Sequence, residues 1–113
     1  MIIVGPGSLY TSVLPVLLTD GLAPTIYGLR ATRIYVANLM TEPGETDDFT
    51  LERHLDVIDQ HVGLPLFDYV LVNNAPIATD ALRKYAFNCS QPVVRQTTCP
   101  TYGRARIIER ALA

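Results

Sequence analysis

The residues best suited to chemistry lie in Gly5-Pro6-Gly7-Ser8-Leu9-Tyr10-Thr11-Ser12. An apolar run, Ile2-Ile3-Val4, precedes them, and Val13-Leu14-Pro15-Val16-Leu17-Leu18 follows. β-Branched residues, then glycines and hydroxyls, then a helix-like pattern is the layout of a strand–loop–helix anion cradle. Glycine lets the backbone approach an anion closely, and the first N–H groups of a helix have no partner inside it. Ser8, Thr11 and Ser12 add hydroxyl donors and are also able to cap that helix. No Lys follows the glycines, so the stretch is not a P-loop, and the third glycine of a dinucleotide fingerprint is missing. The plainer reading is a tight strand-to-helix turn with an ordinary cap.

A second chemical stretch is the acidic loop with Glu42, Glu45, Asp47 and Asp48. It could hold Mg²⁺ beside a phosphate, bind sugar hydroxyls, or supply a base from Glu45 or Asp47. The alternative is a solvated loop whose Asp47 or Asp48 caps the next helix. His54 and His61 share a helix face but lack the four-residue spacing of a two-histidine metal motif, so they read as ordinary histidines. Tyr10 and Tyr85 flank polar segments and could stack on a base or bond a phosphate, whereas Tyr35 reads as core. Cys89 and Cys99 form no C-x-x-C and have no evident activating partner, which argues against a disulfide framework, a zinc site and thiol catalysis. No Ser/His/Asp arrangement stands out.

The elements that must position these groups follow from the periodicity. Strands are expected at about 2–5, 33–37 and 68–73, with a short one at Val93-Val94. Helices are expected at about 9–18, from Pro24 to about Thr32, from Leu51 to Gly63 and around 78–87. In the third helix Leu51, Leu55, Ile58 and Val62 recur at helical spacing behind Thr50 or Asp48 as cap. The final run Arg106-Ile107-Ile108-Glu109-Arg110-Ala111-Leu112-Ala113 also reads as helical. Apolar strands separated by helices imply an α/β fold with a parallel sheet and helices on both faces. Such sheets collect ligands at the carboxyl ends of their strands. Here those ends are Gly5–Ser8, Asn38–Thr41 and Asn73-Asn74, all small, polar or amide-bearing. Both chain ends read as cuts, so the expectation is part of a larger domain.

Composition bounds the partners. The chain has 113 residues, 49% hydrophobic and 18% charged, enough for one core. Its net charge is −2, and only Arg104, Arg106 and Arg110 cluster among the basic residues, so no nucleic-acid surface is expected. No apolar run approaches the roughly 20 residues that cross a bilayer, and no signal-peptide pattern opens the chain. A cytoplasmic protein with reduced thiols is the expectation.

Gly5–Ser12, then Asn38-Leu39-Met40-Thr41-Glu42-Pro43-Gly44-Glu45-Thr46-Asp47, then Asp68–Asn73 resemble the YvcK-type gluconeogenesis-factor family. That family belongs with CofD-like, Rossmann-like proteins whose enzymatic branch is a 2-phospho-L-lactate transferase. The resemblance implies a regulatory protein that binds a nucleotide sugar of the UDP-N-acetylglucosamine type and is needed for gluconeogenic growth and cell shape. The enzymatic relatives use Mg²⁺ with their nucleotide-activated donor, so Mg²⁺ beside a nucleotide is the one cofactor that the resemblance offers. It also implies that the glycine-rich N-terminal nucleotide half of the family has no counterpart here. Ser8-Leu9-Tyr10-Thr11 sides with the regulatory branch, and Tyr85 falls where the family places a tyrosine near its ligand. Glu42 stands in place of a usual Gln, and Val16 in place of Asn. The candidate ligand set is Gly5, Gly7, Ser8, Tyr10, Thr11, Ser12, Asn38, Thr41, Gly44, Glu45, Thr46, Asp47, Asn73, Asn74 and Tyr85, with no catalytic residue assigned. The alternatives are a CofD-like transferase, or an inert fragment that forms a homodimer through exposed sheet.

Overall fold

The computed structural model describes residues 1–41, 44–75, 80, 83, 93–95 and 99–111. Strand β1 (Ile2–Val4) leads through the glycine loop into a π-type turn (Leu9–Val13) and the short helix α1 (Leu14–Leu17). Helix α2 (Leu22–Gly28) and strand β2 (Arg33–Val36) follow. Helix α3 (Leu51–Val62), strand β3 (Tyr69–Asn73) and the pair β4 (Thr101–Tyr102) and β5 (Ala105–Arg110) complete the described elements.

The sheet order is β1-β2-β3-β5-β4. The first four strands in that order run parallel, with Val4 beside Tyr35, Tyr35 beside Val70 and Val70 beside Ile107. β4 closes the edge antiparallel to β5. The expected α/β architecture with a parallel sheet is therefore present, plus a hairpin strand at one edge.

Alternation along the strands decides what each face meets. Tyr35, Val70 and Val72 are buried and join Leu14, Leu17, Leu51, Leu55 and Ile58 in one core. α1 touches both α2 and α3, so the described helices form one layer over that face. On the other face Ile3 is 59% exposed, and Ile34, Val36, Leu71 and Ile108 are half-buried.

Local causes account for most boundaries. The helix expected at 9–18 opens as a π-type turn, in which the Val13 N–H donates to the Ser8 carbonyl (2.9 Å). Pro15 has no N–H for the Thr11 carbonyl and its ring crowds that group, so a wider turn upstream relieves the contact. α2 starts two residues before Pro24, on Gly21 in the left-handed region (φ 78°), and stops at Gly28 rather than Thr32. α3 is capped as read: the Thr50 side chain accepts from the Arg53 N–H (3.2 Å), and Gly63 (φ 75°) ends the helix.

Two expectations fail. The final run is strand β5, not a helix: Gly103 (φ 56°) turns the chain between β4 and β5, and β5 then pairs along β3. The β-branched Ile107 and Ile108 suit that pleated setting. Val93 and Val94 form no strand. Instead the Val93 N–H donates to the Leu39 carbonyl (2.9 Å) and the Val94 carbonyl accepts from Leu51 (2.8 Å), so the segment spans a loop and a helix start. The helix expected around 78–87 lies outside the described residues apart from Asp80 and Arg83.

Candidate functional site

At the carboxyl end of β1, Gly5 is held by two independent constraints. Its φ is +82°, and a Cβ there would lie 2.7 Å from the Val36 carbonyl oxygen. Only glycine allows β1 to run so close to the end of β2. The Gly5–Pro6 peptide is cis. The chain then opens a cavity of about 180 Å³ lined by Gly5, Pro6, Gly7, Ser12, Val13 and Val16, with Val4 at its base.

Asn38, just beyond β2, fixes this loop. Its Oδ1 accepts from the Gly7 N–H (2.9 Å) and its Nδ2 donates to the Gly7 carbonyl (2.8 Å). The side-chain amide thus imitates a strand neighbour for a residue that has none, and it is committed to the loop. One element further on, Glu45 Oε1 accepts from the Tyr10 N–H (3.0 Å). Phe49 sets its ring edge-on to Tyr10 (6.4 Å between centroids) and to His54 (5.6 Å). The glycine loop and the acidic loop are therefore stitched into one edge of the sheet.

Inside the acidic loop, the Gly44 N–H donates to Asp47 Oδ2 (2.9 Å), which closes a turn on Gly44 (φ 74°). Thr41 and Thr46 are buried within the loop, whereas Tyr10, Thr11 and Ser12 face solvent. The hydroxyl of Ser8 does not cap the turn that follows it. At the end of β3, Asn73 folds on itself: Nδ2 donates to the Ala75 carbonyl (2.9 Å) and Oδ1 accepts from its N–H (3.0 Å). Asn74 lies beside β5, its N–H donating to the Arg110 carbonyl (2.9 Å). Tyr85 and Glu42 lie outside the described residues.

The structure thus brings Gly5, Gly7, Ser12, Asn38, Tyr10 and Glu45 together, and leaves Asn73 and Asn74 further along the edge. Two residues at this edge escaped the sequence reading. Phe49 links Tyr10 to α3, and Arg53 lays its guanidinium 5.4 Å from the Phe49 ring centroid. Their only signal was an aromatic immediately before a helix cap and a basic residue one turn on.

Titratable groups near α3 are structural. The His54 ring is 1% exposed, and its Nδ1–H donates to the Thr50 carbonyl (2.8 Å). Burial lowers its pKa, partly offset by that bond. His61 repeats the bond to Val57 (2.8 Å). Tyr35 packs on Phe67 (5.3 Å), and burial pushes its hydroxyl up to about 12. Cys99 is an exposed thiol whose pKa is lowered, chiefly by the Thr101 N–H. Among the described residues, no group of three or more His, Cys, Asp and Glu converges as a metal site. Nor is any single described helix long and apolar enough to cross a membrane.

Comparison with known proteins supplies the family. The family described as 2-phospho-L-lactate transferase CofD matches residues 1–112. The gluconeogenesis factor of Halalkalibacterium halodurans is 44% identical over 94 residues, covering 83% of this chain and 29% of that protein. The gluconeogenesis factor of Bacillus subtilis is 41% identical over 93 residues, covering 82% of this chain and 29% of that protein. A crystal structure of a UPF0052 family member from Bacillus halodurans superposes with a TM-score of 0.90 at 38% identity, covering 97% of this chain and 36% of the other. The chain therefore spans about a third of the length of these relatives. The matched span, the identities and the shared sheet establish that this chain belongs to the CofD family, among relatives of the gluconeogenesis-factor type.

Proposed function

We propose that this chain forms part of the binding site for a nucleotide sugar of the UDP-N-acetylglucosamine type in a regulatory, cytoplasmic gluconeogenesis factor. The observation that carries this reading is the stitched edge, where Asn38 clamps Gly7 from both sides and Glu45 holds the Tyr10 N–H. A loop preset in this way presents the unbonded hydroxyls of Ser8, Thr11 and Ser12 and the Tyr10 ring without an ordering cost at binding. It lies at the carboxyl edge of a parallel sheet, where α/β folds hold ligands. Mg²⁺ would come with the diphosphate. Glu45 and Asp47 each already accept one backbone N–H, which leaves the remaining oxygens for the hydrated ion rather than a dedicated cage.

The test is calorimetry with UDP-N-acetylglucosamine, with and without Mg²⁺, on this chain and on a full-length family member. Asn38→Ala and Tyr85→Ala serve as variants. Saturable heat that Asn38→Ala weakens by about tenfold or more supports the reading. Absence of heat from both proteins at millimolar ligand overturns it. The family description favours a second reading, phospholactyl transfer from a nucleotide-activated donor. Mg²⁺-dependent turnover by the full-length protein would support that one instead.

A further inference from the structure

The arginines gathered near the end of the chain are not used by the edge just described. They line a separate cavity of about 490 Å³ that runs along β5, with Asn74, Arg95, Arg106, Glu109 and Arg110 in its wall. That volume falls within the usual range for small-molecule sites. β1 and β5 are three strand spacings apart in the sheet, so this cavity sits on the order of 14 Å from the glycine loop. The inference stands independently of the nucleotide-sugar reading.

We infer that this cavity binds the phosphate or diphosphate group of a small molecule, with Arg106 and Arg110 as its main ligands and Arg95 and Asn74 beside them. The charge balance points that way. The lining carries one carboxylate, Glu109, against three guanidinium groups, in a chain whose overall charge is −2. Glu109 is engaged by Arg95, whose Nη1 donates to its Oε1 (2.6 Å), while Arg95 Nη2 donates to the Cys99 carbonyl. Arg95 is thereby braced in the cavity wall, yet its Nε is buried with no partner. Arg110 gives one Nη1 donor to the Glu109 carbonyl (2.7 Å), and no described acid engages the Arg106 guanidinium. Unspent donors on planar forks match phosphate oxygens in pairs, and the one carboxylate of the lining is held by Arg95. Arg106 and Arg110 are four apart on one strand and so stand on the same face, held in register by pairing with Tyr69 and Asn73. Strand mounting gives them a fixed separation, as a two-point anion clamp requires.

Calorimetry of this chain with inorganic pyrophosphate, in metal-free buffer at low salt, tests the inference, with inorganic phosphate and citrate as parallel titrants. Pyrophosphate should bind saturably and more tightly than citrate, and added salt should weaken it. The double variant Arg106→Gln/Arg110→Gln should weaken binding about tenfold or more, while Arg30→Gln, at an exposed arginine between α2 and β2, should leave it within about twofold. Should the double variant melt abnormally, Asn74→Asp, which sets a negative charge in the cavity wall, must give the same loss. Equal loss in Arg30→Gln, tighter binding of citrate, unchanged binding in Asn74→Asp, or no pyrophosphate binding at about 10 mM would each overturn it.

Discussion

A single methyl group at Gly5 would meet two obstacles at once, the left-handed φ and the Val36 carbonyl 2.7 Å away. Gly5→Ala should therefore destabilise the chain by about 2–3 kcal/mol, read as a lower urea midpoint at unchanged slope. Gly7 differs: its Cβ would come no closer to a neighbour than 3.4 Å, at Ser12 Cβ. Its restraint comes from Asn38 instead. Asn38→Asp keeps the acceptor for the Gly7 N–H but removes the donor to the Gly7 carbonyl, at an expected cost of about 1–2 kcal/mol. These residues show how far the candidate site was legible. Glycines after a β-branched run announce a loop, and polar strand ends announce a binding edge. The amide of Asn38 reads in sequence as a group facing a ligand, because nothing local reveals that Gly7, 31 residues earlier, claims both of its ends.

At the scale of elements, α3 was readable because every determinant is local: Thr50 as cap, apolar residues at helical spacing and Gly63 as stop. Thr50→Ala should cost about 1 kcal/mol by leaving the Arg53 N–H without its partner, and Thr50→Ser should recover most of it, both measured by urea unfolding. β5 was not readable in the same way. Arg106-Ile107-Ile108-Glu109-Arg110 fits a helical face as well as a strand, and only pairing with the distant β3 decides between them. The segment at Val93 and Val94 fails for a related reason. Two apolar β-branched residues signal a strand, but their backbone bonds go to Leu39 and Leu51 on different elements. Long-range pairing, absent from any local window, settled both cases.

Across the whole molecule, three of the described groups set how stability should vary with pH on the acid side, and they act in different directions. Asp68 sits where α2, β2, β3 and the β4–β5 turn meet. Its Oδ2 accepts from the Arg33 N–H (2.9 Å), and its Oδ1 faces Arg33 (3.5 Å) and Arg104 (3.3 Å). The Arg33 N–H is the largest cause of its lowered pKa, so its contribution is present above the ordinary aspartate range and is lost only as pH falls through the folded value. Asp59 is shifted the other way, first by burial and then by the charge of Asp56, so its protonation favours the fold under acid conditions. His54 governs the window just below neutral pH. Burial lowers its folded pKa beneath the unfolded value near 6.5, so the unfolded chain takes up a proton that the folded chain resists. Stability should thus be full above about pH 7 and fall as pH drops toward 5, by up to about 1.4 kcal/mol per pH unit while the two states differ by one proton. Urea midpoints of the parent and His54→Gln at about pH 7.5, 6.5 and 5.5 read this slope directly. The variant is expected to start lower, having lost the buried ring, but to lose less between the first pH and the last. A parent slope that His54→Gln leaves intact would assign the acid sensitivity to another group.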